Sequence, residues 1–232
     1  LLQFNMKKNY LNTDLTIASD GNYVHVTESG RENFKKWFKE SKVKNLNGSP
    51  QIMYHGTYQS FDMFDKNKIG SRFSADNEGF FAISCPKIAS DYAEYEEGFL
   101  NSSPNVMPLF VSIQNPLIVN HKFLASEGMA PIGVRDCVID FWDNYQDLIL
   151  TWAYERKSDG ILLIDESRLK SKDIIMMSVA FKANQLKSAI GNSGSFDLKS
   201  SSLTDSKDLN FKVTNKLKTD LENNTVRKKL RM

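Results

Sequence analysis

The residue types best suited to chemistry sit in Tyr54-His55-Gly56-Thr57, at the end of a short apolar run. Gly48-Ser49-Pro50 is a turn signal and Ile52-Met53-Tyr54 follows it, so the pattern predicts a buried strand from about Gln51. At its end a histidine ring nitrogen can meet a sugar hydroxyl, and Thr57 can donate or accept beside it. Gly56 has no Cβ, which lets a ligand come close to the main chain. An isolated His-Gly-Thr equally describes a strand end whose histidine is satisfied within the fold. Its weight therefore depends on what the rest of the chain brings to it.

Other chemistries find little support. His25, His55 and His121 are remote in sequence from one another and from cysteine, and no metal-ligand spacing is present. There is no nucleophile elbow, phosphate-cradling loop or dinucleotide fingerprint. A Cys85–His55 pair lacks a third group to orient it. Cys85 and Cys137 read as reduced, packed thiols rather than a disulfide framework.

Composition sets the outer limits. The chain has 232 residues, 41% of them hydrophobic, enough for one sizeable core, and a net charge of +2 argues for neither nucleic acid nor membrane. Nine Lys/Arg and four acids lie from Lys199 to Met232, whereas the preceding residues carry 21 basic and 24 acidic side chains. No run approaches the ~18 apolar residues of a membrane helix. Leu1-Leu2-Gln3-Phe4-Asn5-Met6 lacks the charged and apolar regions of a signal peptide. The expected compartment is the cytoplasm, with no membrane and no metal partner, and a first residue other than Met fits a fragment of a longer chain.

The elements that must position the histidine follow from periodicity. Residues 1–29 are polar and weakly patterned, a poorly ordered lead-in. Phe34, Trp37 and Phe38 fall on one face of a helix over 29–40, capped by Ser29 or Thr27. Phe61 and Phe64 punctuate a polar loop from Gln59 to Asn77. Strands are predicted at Gly79–Ser84, Met107–Ile113, Leu117–Val119, Ile161–Ile164, Ile174–Phe181 and Asn184–Ile190. Pro86 opens a helix with Ile88, Tyr92 and Tyr95 on its apolar face, and a long helical pattern fills about 133–157 until Ser158-Asp159-Gly160 stops it. Beyond Phe196 the chain is too polar to pack, apart from a helical stub near 213–222, so a chain ending at Lys199 is expected to fold as well as the whole. Strands outnumber helices and short loops join neighbours, which fits an α+β domain over 30–198 with mainly antiparallel pairing, followed by a basic, largely disordered tail over 199–232.

Several of these pieces occur in a recognisable order: Phe34-Lys35-Lys36-Trp37-Phe38, Tyr54-His55-Gly56-Thr57, Phe61-Asp62-Met63-Phe64-Asp65, Gly79-Phe80-Phe81 and Ala89-Ser90-Asp91-Tyr92-Ala93. Ile113-Gln114-Asn115-Pro116-Leu117, Ser158-Asp159-Gly160 and Gln185-Leu186-Lys187-Ser188-Ala189 follow, the last leading into Asn192-Ser193-Gly194-Ser195-Phe196-Asp197. Over residues 32–198 the chain resembles the His-Tyr-Glu class of ADP-ribosyltransferases, most closely the domains of phage and mobile-element polyvalent proteins. The resemblance implies a split antiparallel β-sandwich with flanking helices and NAD as substrate. It implies that His55 holds a ribose hydroxyl of the adenosine side, that the Gly56 backbone meets the nicotinamide carboxamide, and that Thr57 reaches the same ligand. Tyr92 and Phe81 would cover the two faces of the nicotinamide ring, Phe81 without the hydroxyl of the family's tyrosine.

The third motif departs from the class. At the start of the last strand, where the transferring enzymes carry glutamate, this chain has Gln185. Breaking the nicotinamide–ribose bond leaves positive charge on the ribose, which a carboxylate stabilises; a glutamine can hydrogen-bond the 2′-hydroxyl but brings no charge. Three readings follow: an ADP-ribosyltransferase acting on a host protein or nucleic acid, a catalytically weak NAD-binding module of a larger polyvalent protein, or an unrelated structural phage protein.

Overall fold

The computed structural model describes residues 14–58, 60–65, 79–94, 104–129, 140–165 and 175–206. Helix α1 spans Glu28–Phe38 and starts where Thr27 accepts the Gly30 N–H through its hydroxyl; its stripe of Phe34, Trp37 and Phe38 is buried. Then come β1 (Met53–Thr57), β2 (Phe80–Ile83), α2 (Pro86–Glu94), β3 (Asn105–Val111) and β4 (Pro116–Val119). The chain continues with α3 (His121–Ser126), α4 (Asp140–Glu155), β5 (Gly160–Asp165), β6 (Ile175–Ala180) and β7 (Leu186–Ser188).

The strands hydrogen-bond in the order β4-β5-β6-β2-β1-β3-β7, all neighbours antiparallel except β4 and β5. One joint is weak. Strands β1 and β3 stay in register from Met53 opposite Leu109 to Thr57 opposite Asn105, whereas β1 and β2 share only the pair Tyr54 and Ile83. That joint divides the sheet into two halves, β4-β5-β6-β2 and β1-β3-β7. Met53, Leu109, Val111 and Leu186 from one half share a single apolar core with Phe80, Ala82, Leu162, Met176 and Ala180 from the other. The architecture is thus the α+β split sandwich with flanking helices that the sequence implied.

Each half-sheet is also covered on its outer face. Phe34, Trp37 and Phe38 of α1 pack with Ile52 and Phe110, while α4 lays Trp142, Ile149 and Ala153 over Ile161, Leu163 and Val179. Burying a large side chain in such a layer contributes about 1.5–3 kcal/mol, so these stripes dominate the stability of the layers.

Several expectations shift. Strand β3 begins earlier than its apolar run, at Asn105, and α3, capped by the Asn120 side chain on the Phe123 N–H, is an element the periodicity did not signal. Asn184 is not in a strand; it lies in a short 3-10 helix, Ala183–Gln185, before β7. The buried face of α2 is Ala89 and Ala93, not Ile88 and Tyr92. The physical reason is distance: a helix with small residues on its inner face can approach a strand closely, and α2 does so at Gly56.

The packed chain also extends past the expected limits at both ends. Ala18 and Val24 are buried, Ser19 donates its N–H to the Pro50 carbonyl, and the Ile52 N–H donates to the Ser19 hydroxyl, so residues 14–29 belong to the fold. At the other end Leu203 is 1% exposed within the core between the half-sheets, and its carbonyl accepts the Ser188 N–H. One large apolar side chain reaching the core helps to hold an otherwise polar segment, which composition alone does not reveal. Residues 1–13, the stub near 213–222, Tyr95 and Cys137 lie outside the described residues.

Candidate active site at the β1–β2 joint

Alternation along β1 sends Met53, His55 and Thr57 to one face and Tyr54 and Gly56 to the other. Beyond the Tyr54–Ile83 pair the strands part, and the His55 ring spans the opening: its Nδ1 lies 2.7 Å from the Phe81 carbonyl oxygen. A carbonyl only accepts, so Nδ1–H is the donor of this bond. Phe61 and Phe64 meet the ring edge-on, at centroid distances of 5.9 Å and 5.0 Å, and Phe64 packs in turn on Phe80 at 5.0 Å. Thr57 is buried opposite Asn105 of β3.

On the opposite face, Gly56 lies under α2. A Cβ there would overlap the Ala89 carbonyl oxygen and stand 3.1 Å from the Ala93 nitrogen. The space the glycine leaves is thus filled by helix backbone. Its lack of a side chain sets the helix against the strand, whatever ligand approaches alongside. Tyr92 lies on the same helix, next to Ala93 in sequence, and is 40% exposed. Phe81 points to this same side, where its ring meets Trp142 edge-on at 5.3 Å. His55, Gly56, Thr57 and Phe81 thus lie at one joint, His55 and Thr57 on one face of the strands and Phe81 on the other, with Tyr92 on the helix that covers Gly56.

Gln185 is not among them. Its carbonyl accepts the Ser112 N–H, placing it at the far end of β3, whereas His55 lies opposite Met107. Five residues of strand separate those levels, roughly 17 Å at ~3.4 Å per residue. The side chain is also occupied. Its Nε2 donates to the Ser112 carbonyl at 3.2 Å and to the Asp159 carbonyl at 2.9 Å, and its Oε1 accepts the Lys182 N–H at 2.8 Å. Asp159 in turn accepts the N–H groups of Gln114 and Asn115 through its carboxylate, at 2.8 Å and 2.7 Å. Gln185 thus closes the seam where β7 and the end of β3 meet the start of β5. The sequence placed it at the strand start, but only the register shows which end of the sheet that is.

Phe61 and Phe64 are the site neighbours that sequence reasoning passed over as loop punctuation. Their signal was present, two aromatic residues three apart in an otherwise polar segment shortly after the histidine. Among the described residues no cluster of His, Cys, Asp and Glu fit to hold a metal occurs, and no helix is long and apolar enough to cross a membrane.

The family model for the ADP-ribosyltransferase domain of polyvalent proteins matches residues 45–196, well over half of the 232, and the chain belongs to that family. No curated protein and no solved structure matches it. The matched region runs from the turn before β1 to Phe196 and so contains both sheet halves and the whole β1–β2 joint.

Proposed function

We propose that the chain binds NAD at the β1–β2 joint and transfers its ADP-ribose to a macromolecular acceptor. The observation that carries this reading is the single register pair between β1 and β2, with His55 bonded through Nδ1 to the Phe81 carbonyl beside it, while the α2 backbone at Ala89 and Ala93 lies against Gly56. A ribose hydroxyl would donate to His55 Nε2, and Thr57 would reach the same sugar. On the other face Tyr92 and Phe81 would flank the cationic nicotinamide, with cation–π attraction of about 0.5–2 kcal/mol. In the reaction the nicotinamide–ribose C–N bond breaks and its electron pair leaves with nicotinamide. The acceptor's nucleophile bonds to the anomeric carbon and loses its proton. A polyvalent-protein domain of this kind would act inside a host cell as a phage or mobile-element effector, on a host protein or nucleic acid.

One observation favours a second reading, a module that binds NAD and turns it over slowly. Strands β1, β2 and β6 carry Met-Tyr-His-Gly-Thr, Phe-Phe-Ala-Ile and Ile-Met-Met-Ser-Val-Ala, with no carboxylate to stabilise positive charge on the ribose. Gln185, held at the opposite end of β3, supplies none either.

Titrating NAD while following tryptophan fluorescence and nicotinamide release separates the two. Saturable binding with turnover, and a labelled band from a host lysate given labelled NAD, is the result expected of a transferase. Binding without turnover selects the second reading, and absence of binding removes both.

A further inference from the structure

Lys187 is the one lysine among the fully buried side chains of the described residues. It lies on β7, 0% exposed, and its Nζ donates to the Ser200 carbonyl at 3.1 Å, the Ser202 carbonyl at 2.9 Å and Asp205 Oδ1 at 2.6 Å. Asp205, 2% exposed, accepts the Asn192 side-chain amide and the Asp197 N–H through its other oxygen, at 3.1 Å and 3.0 Å. Desolvation pushes the ammonium below its ordinary pKa, and the hydrogen bond and charge of Asp205 oppose that. A buried pair of this kind is weak evidence for stability, since apolar residues fill the same volume as well or better. What the ammonium does here is geometric: it ties down one strap of chain, residues 200–205, at three points.

The strap leads to the site. The Leu203 N–H donates to the Asp62 carbonyl at 2.7 Å, Ser202 pairs with Met63 as an isolated β-bridge, and the Leu203 side chain is buried between the half-sheets. Met63 lies in the segment whose Phe61 and Phe64 rings border His55. We propose that the Lys187–Asp205 pair acts as a positioning clasp for the site, holding the 200–205 strap so that the strap sets the Phe61–Phe64 segment against the His55 imidazole. This rests on the reading of His55 as the ligand-binding histidine, but the path from Lys187 to the ring is traced through contacts alone.

The test reads the ring directly. The side-chain resonance of His55 is followed by NMR in Lys187→Met, Asp205→Asn and Leu203→Ala, with His121 on α3 as internal reference and circular dichroism to verify the fold. The expected result is a displaced or broadened His55 signal beside an unmoved His121 signal in each folded variant. NAD affinity should fall about two- to thirtyfold, the range that coupling through packed contacts reaches. Leu203→Ala keeps the ion pair while loosening the strap, so it decides the matter if Lys187→Met does not fold. An unchanged His55 signal in a folded variant whose backbone amide at position 203 has lost its protection from exchange would overturn the proposal. If wild type binds no NAD, the functional reading falls while the ring signal still judges the clasp.

Discussion

His55 and Gln185 both tie the two half-sheets together, at opposite ends of β3, and they leave different chemistry behind. His55 does it through Nδ1–H, donated to the Phe81 carbonyl, which leaves Nε2 as the other ring nitrogen. Gln185 does it with both amide protons and its oxygen, on Ser112, Asp159 and Lys182. The same kind of short polar motif therefore serves two purposes. At the joint, where one register pair joins the strands, a side chain bonds the neighbouring strand's backbone. At the seam the side chain completes a hydrogen-bonded closure. The difference teaches that a motif position identifies a place in the fold, whereas the register decides what that place faces.

The sharpest way to break the comparison is Gln185→Glu. In the family-based view this restores a catalytic carboxylate; in the structure it points a carboxylate at the Ser112 and Asp159 carbonyl oxygens. Losing those bonds in a part-buried site, with a charge added, should cost about 3 kcal/mol of stability, read as a lower urea midpoint, with no gain in nicotinamide release. A rise in release at unchanged stability would place Gln185 at the reacting ribose after all.

Gly56→Ala tests the joint from its other face. The added methyl meets the Ala89 carbonyl, so α2 must shift. Overpacking of this kind typically costs about 1–3 kcal/mol, and NAD affinity should fall with it because Tyr92 moves with the helix. An alanine variant as stable as wild type would show that α2 yields freely.

His55→Ala should separate binding from folding in the manner opposite to Gln185→Glu. Stability drops by about 1 kcal/mol for one hydrogen bond, while calorimetry should show NAD affinity lower by roughly ten- to a hundredfold. Equal losses in both would reduce His55 to a structural staple, the counterpart of Gln185. Tyr92→Ala goes further in that direction: a partly exposed side chain whose loss should leave stability within about 0.5 kcal/mol, yet weaken NAD by about 1–3 kcal/mol if its ring stacks on the ligand.

The smallest effect concerns alkaline pH. Burial raises the Tyr54 phenol above its ordinary pKa, with the charge of Asp20 adding to it. The folded state then holds its proton more tightly than the unfolded chain. The associated stability is fully present below about pH 10, the unfolded value, and is lost as pH rises through the folded one. Since Tyr54 forms the single β1–β2 register pair, Tyr54→Phe should flatten the fall of stability above that pH. Identical alkaline profiles for the two proteins would detach the joint from this titration.

What the sequence determined by itself is the set of local elements and the family. The aromatic stripe of α1, the Pro86 helix start, the apolar strand runs and the Asn115-Pro116 and Ser158-Asp159-Gly160 stops depend on neighbours within a few residues, and periodicity reports such neighbours directly. The order of the pieces from Tyr54-His55-Gly56-Thr57 to Gln185-Leu186-Lys187-Ser188 likewise needs no coordinates. Everything that depends on partners distant in sequence was decided by the tertiary structure. Gly56 is a glycine because Ala89 approaches it, α2 buries its alanines because β1 lies so close, and Phe64 borders a histidine nine positions before it. Residues 199–206, polar enough to read as tail, are held by one leucine in the core shared by the half-sheets and by one buried lysine. Composition averages over a segment, but packing is satisfied residue by residue, and a single well-placed side chain can outweigh the polarity of its neighbours.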